Sequence, residues 1–351
     1  MNAQKDLESF FKGEPPGQRT NAVRWLQKQV MQQALQLPMK FDTLQEWEQF
    51  RTTMREQLPK VIGMLTLPPL QDSYTRARIQ VGEDVICERV DIYADDDYSI
   101  PAFVFKPKSP ASDQLPALVW SPGYNQDKWH PAYQTFAVRM AKQGFLVLVV
   151  DHNAFGESMP SVYIDARMRV TTMMALGDVI GISNLGLRAL ENMRCGEYLR
   201  SRSDVDPSRV ALAGLCQGGM DTWLAAALDE SFCAVAPICA ASTYAVHMAE
   251  MASYQMNSDS SPFPFGILKV CDVQHLYAAI APRPLLVRTN LPDNWWPVSG
   301  YDEIETLTKQ IYKLYGAEDA VDFRSEVHEH DLTGPFADAL ESFLIDNLRS
   351  K

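Results

Sequence analysis

One stretch constrains the fold of this chain more than any other: a short apolar run, a glycine-flanked turn and a helical segment. Residues 210–213 are uninterruptedly apolar, as expected for a strand buried in a parallel sheet, and residues 221–228 have the composition of a helix. Between them, Cys216 lies two residues after Gly214 and two before Gly218. A nucleophile on a strained strand-to-helix turn needs small residues at these positions. The stretch therefore predicts a nucleophile elbow that carries a thiol where a hydroxyl is usual.

Strand-like and helix-like segments alternate from residue 115 to the end of the chain. Apolar runs typical of strands occupy residues 115–120, 145–150, 234–238 and 285–287, and residues 321–327 are also expected to form a strand. Helical spacing is found in 133–143, 303–315 and 336–348. This alternation predicts a mostly parallel sheet covered by helices on both faces. Strands within residues 77–106 are expected to form an antiparallel edge. Functional side chains should follow the carboxyl ends of the parallel strands.

The chain is expected to have two parts. Residues 1–70 show helical spacing in 21–37 and 43–58 and predict a helical N-terminal extension, while residues 71–351 form the α/β domain. The extension has too little apolar sequence to fold alone, so we expect it to pack on the α/β domain or on a second subunit. Residues 239–280 interrupt the alternation and predict a cap insertion, with an ordinary long connection as the alternative.

Composition narrows the class of partner. The 351 residues carry a formal net charge of −12, which argues against nucleic acid or an anionic membrane as the main partner. Six cysteines without zinc-like spacing are expected to be reduced, and no metal or other cofactor is predicted. The N-terminus lacks a signal-peptide pattern and no apolar run is long enough to span a bilayer, so we expect a cytoplasmic protein. A homodimer is compatible with the sequence but does not follow from it.

A thiol nucleophile requires a base and an acid, expected in the chain order nucleophile, acid, histidine. Of six histidines, only His328 and His330 lie between a late strand and the last predicted helix, and we favour His330 as the base. A metal site formed by these two is disfavoured because no third ligand is near. Asp293 follows the strand-like run near residue 285 and is the expected acid. Its alternatives are a turn aspartate without a catalytic role and Asp302 as the acid.

Several segments together are similar to a known group of enzymes. They are Pro122-Gly-Tyr-Asn, the loop 151–158 ending in Gly-Glu-Ser, the lead-in 204–210 to the elbow, Ala281-Pro-Arg-Pro with Asp293, Pro297 and Gly300, and His330 with Phe336 and Ala339. The chain resembles, over residues 80–350, the α/β-hydrolases of the dienelactone hydrolase and acetyl xylan esterase-like branch. Residues 1–70 lie outside the resemblance.

The resemblance implies an α/β-hydrolase fold and the hydrolysis of a carboxylic ester, lactone or thioester of small or medium size. The reaction would pass through an acyl-cysteine at Cys216, and the backbone amides of Tyr124 and Gln217 would hold the oxyanion. Three tryptophans are candidates for lining the substrate pocket: Trp223, Trp295 and Trp296. Core packing is the equal alternative for Trp223.

Two departures from the resembled pattern leave alternatives open. Pro122 stands where acetyl esterases of this branch carry a histidine, and Cys216 stands where serine is commoner. We favour a natural thiol nucleophile over a replaced serine. The same residues would also serve an acyltransferase or a ring-closing enzyme of a biosynthetic pathway. A non-catalytic hydrolase-like protein is the remaining alternative, against which the retention of all three triad residue types argues.

Overall fold

The computed structural model describes residues 22–71, 73–159, 165–250, 263–291, 293 and 295–349. The strands in these residues are β1 (Tyr74–Val81), β2 (Val85–Asp95), β3 (Tyr98–Pro107), β4 (Leu115–Ser121), β5 (Leu146–Val150), β6 (Val205–Leu215), β7 (Val235–Ile238), β8 (Leu285–Asn290) and β9 (Val321–Glu326). The α-helices are α1 (Ala22–Ala34), α2 (Leu44–Val61), α3 (Pro131–Lys142), α4 (Ala166–Ile180), α5 (Asn184–Ser201), α6 (Gln217–Leu228), α7 (Tyr244–Glu250), α8 (Val273–Ala278), α9 (Val298–Leu314) and α10 (Gly334–Leu348).

All the strands belong to one sheet, in the order β1-β2-β3-β5-β4-β6-β7-β8-β9. Strands β1 to β3 pair antiparallel with one another, and β3 pairs antiparallel with β5. Every pairing from β5 through β4, β6, β7 and β8 to β9 is parallel. The mostly parallel sheet with an antiparallel edge is therefore confirmed, and the carboxyl ends of β4 to β8 lie along one side of it.

The sheet has a separate apolar core on each face. The strands β4, β5, β7 and β8 are buried along their whole length. This matches the uninterrupted apolar or small residues of β4, β5 and β7, whereas β8 also buries Arg288 and Asn290. One core packs the sheet against α5, α6 and α9, and the other packs it against α3 and α10. Both faces are covered, as crossover connections between parallel strands require.

The described part of the N-terminal extension packs on the α/β domain. Helix α2 buries Trp47, Met54 and Leu58. Arg55 Nε donates to the Ala227 carbonyl oxygen at 2.7 Å, near the end of α6. Helix α1 reaches the region of the expected cap, where Gln27 Nε2 donates to the Met248 carbonyl oxygen at 2.9 Å. The division of the chain at residue 70 stays a prediction, and residues 1–21 lie outside the described part.

The expected cap, residues 239–280, contributes α7, α8 and a 3-10 turn at Ile267–Lys269. Residues 251–262 of the expected cap lie outside the described residues. The buried histidine His247 of α7 contacts the Trp296 ring with centroids 4.9 Å apart, and its pKa is lowered to about 4 by burial, against an opposing effect of Asp293. The described part of this region therefore lies against the segment that follows β8.

Helices α4 and α5 are the elements that sequence reasoning did not anticipate. Helix α5 is almost wholly buried, yet its buried residues include Arg188, Glu191, Asn192 and Arg194, so no apolar stripe marks it in the sequence. Within the described residues no single helix is long and apolar enough to cross a membrane, although α4 and α5, bent by 96°, pass that test of length and composition as a pair.

Candidate active site

Cys216 is the single residue between strand β6 and helix α6, and its backbone is strained. Its φ of 56° and ψ of −119° lie in a region that L-residues rarely adopt, at a typical cost of about 1–3 kcal/mol. The Cys216 amide donates to the Ile238 carbonyl oxygen of β7 at 2.8 Å, which ties the turn to the sheet. The side chain is only partly buried. The geometry is that of a nucleophile elbow.

The two glycines flanking this turn are required by close backbone approach. A Cβ on Gly218 would lie 2.0 Å from the Ser121 carbonyl oxygen, and a Cβ on Gly214 would lie 2.3 Å from the Gly218 carbonyl oxygen. Neither backbone atom can yield without moving β4 or α6. Only glycine lets the first turn of α6 pass this close to β4 and β6.

His330 and Asp293 converge on Cys216 from the loops that follow β9 and β8. His330 Nδ1 is 3.5 Å from Asp293 Oδ2, which is an ion-pair distance rather than a hydrogen bond. The other oxygen, Asp293 Oδ1, accepts from the amides of Trp295 and Trp296 at 2.8 and 3.2 Å. The carboxylate is therefore fixed by its own turn with one oxygen facing the imidazole. Catalytic contacts in ligand-free enzymes are often long in this way.

The electrostatics of the site are visible at His330. Burial lowers the pKa of its imidazole, but the neighbouring side chains of Cys216 and Asp293 raise it by more. The balance leaves the His330 pKa at about 10, compared with an ordinary value of 6.5. The ring therefore holds its proton at neutral pH and can stabilise a negative charge on sulfur.

The alternative histidine and acid, His328 and Asp302, do not contact Cys216. His328 Nε2 is 2.9 Å from the Thr333 carbonyl oxygen, and its ring packs edge-on against Phe336 with centroids 4.7 Å apart. Asp302 is exposed on helix α9. The structure thus brings together Cys216, His330 and Asp293 and leaves the other two apart. The turn role proposed as an alternative for Asp293 is also present, since its first oxygen caps a turn.

The expected oxyanion donors lie on two elements beside the elbow. Gln217 is the first residue of α6, and Tyr124 lies in the loop after β4, with its ring edge-on to Phe155 at 5.5 Å. This loop is held at Pro122, whose carbonyl oxygen accepts from Arg188 Nη2 at 3.3 Å. A buried guanidinium therefore fixes the loop at Pro122.

The three tryptophans differ in surroundings. Trp223 is fully buried on α6, where its indole N–H donates to the Ala240 carbonyl oxygen at 3.2 Å and its ring packs beside Tyr277. The expectation that Trp223 lines a substrate pocket is therefore replaced by its alternative, core packing. Trp296 is 7% exposed against His247, and Trp295 is partly buried. Both adjoin Asp293 and remain candidates for the pocket wall.

A second cluster of polar side chains lies beneath the elbow, and sequence reasoning missed it. Ser121 Oγ at the end of β4 is 2.7 Å from His152 Nε2, and Asp221 Oδ2 of α6 accepts from Ser121 Oγ at 3.4 Å. The other ring nitrogen, His152 Nδ1, contacts Glu191 Oε2. This triad-like network has the residue types of a serine hydrolase. A signal existed: Ser121 ends one apolar run and His152 lies two residues after another.

The network is sealed from solvent and neutralised internally. Ser121, His152, Glu191 and Asp221 are each at most 1% exposed. Burial raises the pKa of Asp221, although Arg188, which donates to it at 2.8 Å, works against this. Burial also raises the pKa of Glu191, but contacts with His152, Tyr98 and Arg188 outweigh it and leave that pKa lowered. No group of three or more potential metal ligands occurs among the described residues.

Comparisons with known proteins agree with the fold and indicate a class of activity. Residues 80–255 match a family model described as acetyl xylan esterase (AXE1). The chain is 26% identical over 284 residues to YtaP of Bacillus subtilis (strain 168), which is named as a hydrolase; the match covers 77% of this chain and 90% of that protein. Among solved structures, the methylesterase BT1017 matches 91% of this chain and 68% of its own, with a TM-score of 0.69 and 20% identity.

The acetyl xylan esterase from Paenibacillus sp. R4 matches 92% of this chain and 99% of its own, with a TM-score of 0.57 and 17% identity. At these identities the solved structures bear on the fold alone. They confirm the α/β-hydrolase fold that the resemblance implied.

Proposed function

Because this chain belongs to the acetyl xylan esterase (AXE1) family of α/β-hydrolases, we propose that it hydrolyses esters of small carboxylic acids through an acyl-enzyme on Cys216. That it is a carboxylic-ester hydrolase follows from the family. The identity of the nucleophile is our proposal. The observation that supports it best is the strained, partly exposed position of Cys216 on the turn beside His330, which in turn lies against Asp293.

The proposed reaction begins with a thiolate. His330 holds the proton and Asp293 orients the imidazolium, so that the Cys216 sulfur attacks the ester carbonyl. The amides of Gln217 and Tyr124 would receive the oxyanion, each donor being worth about 3–4 kcal/mol in such sites. The N-terminus of α6 adds a favourable dipole at the same atom.

His330 would then pass its proton to the departing alcohol, which leaves a thioester between the acyl group and Cys216. The imidazole, now neutral, takes a proton from water, and the resulting hydroxide attacks the thioester carbonyl. Collapse of that intermediate releases the carboxylic acid and restores the thiolate–imidazolium pair. Hydrolysis is preferred to acyl transfer because ester hydrolysis is the activity named for the family.

The alternative nucleophile is Ser121, and one observation favours it: its Oγ is 2.7 Å from His152 Nε2, a distance suited to proton transfer. One observation weighs against it. Ser121 has no exposed surface, so a substrate carbonyl has no path to the roughly 3 Å approach that attack requires. The orienting acid does not separate the two candidates, because Glu191 contacts the Nδ1 atom of His152.

Trapping the acyl-enzyme tests the proposal. The purified chain is mixed with an activated aryl acetate, quenched in acid within the first turnovers, and analysed by intact mass and peptide mapping. We expect one acetyl group on the peptide that contains Cys216, and the same result for Ser121→Ala. Acetyl on Ser121, or unchanged acetylation in Cys216→Ala, would show that the serine is the nucleophile.

A further inference from the structure

A second cysteine lies opposite Cys216 on the neighbouring strand. The register of β6 and β7 pairs Leu215 with Ile238, and the Cys216 amide continues the ladder by donating to the Ile238 carbonyl oxygen. In a parallel ladder, a residue whose amide bonds to position j−1 lies opposite position j. Cys216 therefore faces Cys239, the first residue after β7.

The spacing of such a pair suits a disulfide. Neighbouring strands lie about 4.8 Å apart, and disulfides join residues whose Cα atoms are about 4.4–6.8 Å apart. Both cysteines have a positive φ, 56° at Cys216 and 52° at Cys239, which L-residues rarely adopt. Both also pack against the same apolar core, and each is a free thiol.

The two sulfurs differ in access. Cys239 is fully buried, whereas Cys216 is partly exposed next to His330. Burial, followed by the charges of Asp293 and Cys216, keeps the Cys239 pKa well above its usual range, so Cys239 stays a thiol. An oxidant from solvent would therefore meet Cys216 first, because its sulfur is the accessible one of the pair.

We propose that Cys216 and Cys239 form a reversible disulfide when the enzyme meets a hydroperoxide, which switches the esterase off and protects its nucleophile. The proposal rests on the proposed function in one respect, since it needs Cys216 as a thiolate beside His330. The oxidant is the hydroperoxide, and the two thiols are oxidised together by two electrons.

The chemistry balances in two steps. The Cys216 thiolate attacks one peroxide oxygen, so that an S–O bond forms, the O–O bond breaks, and the leaving hydroxide is protonated by the imidazolium of His330 to give water. The sulfur of Cys239 then attacks the sulfenic sulfur, so that the S–S bond forms and the S–O bond breaks. The departing hydroxide takes the Cys239 proton and gives the second water.

The test uses the full-length, reduced chain treated with one equivalent of hydrogen peroxide. We expect the intact mass to fall by two hydrogen atoms, a non-reduced digest to contain the peptide pair joined through Cys216 and Cys239, and the ester-hydrolysing activity to be lost and then restored by dithiothreitol. An intact mass that does not change on peroxide treatment, or a cross-link between any other pair of cysteines, overturns the proposal.

Two variants sharpen the result. Cys239→Ala, with Cys239→Ser as a substitute if the alanine variant does not fold, should hydrolyse esters normally. Excess hydrogen peroxide carries an unpartnered sulfenic acid on to the irreversible sulfinic acid, so under excess peroxide this variant should gain two or more oxygen atoms at Cys216 and no longer recover with dithiothreitol, whereas the parent should still recover. The matched control is Cys233→Ala at the opposite end of β7, where Cys233 pairs with the Val210 carbonyl; this variant should behave like the parent. Full recovery of both Cys239 variants after excess peroxide would contradict the proposal.

The same experiment separates this proposal from the function it rests on. A cross-link that forms without loss of esterase activity would leave the disulfide in place and remove Cys216 as the nucleophile. Loss of turnover in Cys216→Ala, together with no cross-link in the oxidised parent, would support Cys216 as the nucleophile and overturn the disulfide.

Discussion

The molecule contains two sets of nucleophile, histidine and acid within one domain, and they differ in access and in backbone. Cys216, His330 and Asp293 meet where strands end, with the sulfur partly exposed and on a strained turn. Ser121 and Asp221, with His152, lie underneath, have at most 1% of their surface exposed and are engaged with one another. Residue types alone do not distinguish a catalytic centre from a structural one.

The difference has a physical origin. A nucleophile must be reached by a carbonyl carbon and must have an activated form that its surroundings tolerate. In our proposal Cys216 meets both conditions, because the elbow lifts it out of the sheet and His330 supplies a positive charge. Ser121 ends a central strand, and its carbonyl oxygen lies against Gly218, so the space above it is filled by α6. Its network instead joins β4, the loop after β5, α5 and α6.

The largest expected effect concerns turnover. Cys216→Ala and His330→Ala should each lower kcat/KM for an activated ester by about 10³-fold or more, and the double variant should be little worse because the residues act as a unit. Steady-state kinetics measures this. The control Ser121→Ala should stay within about tenfold of the parent, since Ser121 touches no reacting atom in our scheme.

Our assignment is wrong if Ser121, and not Cys216, is required for turnover. A well-folded Ser121→Ala variant without activity, beside an active Cys216→Ala, would make the buried network the catalytic one.

The second-largest expected effect is on stability, and it concerns the buried network of Ser121, His152 and Asp221. Asp221→Asn leaves the buried Arg188 without its charged partner, so we expect a loss of about 3 kcal/mol in the free energy of unfolding. The matched change Asp293→Asn keeps the amide contacts of the first carboxylate oxygen and should cost about 1 kcal/mol or less. Urea unfolding at equal m-value measures both. Equal losses would show that the two acids do the same structural work.

The smallest expected effect is a change in pH dependence. The imidazolium of His330 donates a proton to the leaving group and is lost as pH rises through its pKa, so the alkaline limb of kcat/KM should lie near pH 10. Asp293→Asn removes a carboxylate that raises this pKa and should move the limb to lower pH. Ser121→Ala should leave it in place. A limb that moves with Ser121 and not with Asp293 would contradict the assignment.

Much of the fold could be predicted from the sequence. Strands β4 and β5 are fully buried, and they therefore consist almost entirely of apolar residues. The glycines around Cys216 are required because the backbone there passes close to β4. Helix α5 was missed because the side chains it buries include ions and amides that pair with other elements. Its partners in the network come from β4, the loop after β5 and α6, and no local pattern reports such distant pairings.

The sequence by itself determined the alternation of strands and helices and the sharp turn at Cys216, because each depends on neighbouring residues. Only the tertiary structure showed that His330 rather than His328 lies beside Asp293, placed Trp223 in the core, and brought Ser121 to His152 and Cys216 beside Cys239. These outcomes depend on strand register and on how closely α6 approaches β4. Such distances are set by packing across the whole sheet, so residues far apart in sequence meet in ways that no short segment encodes.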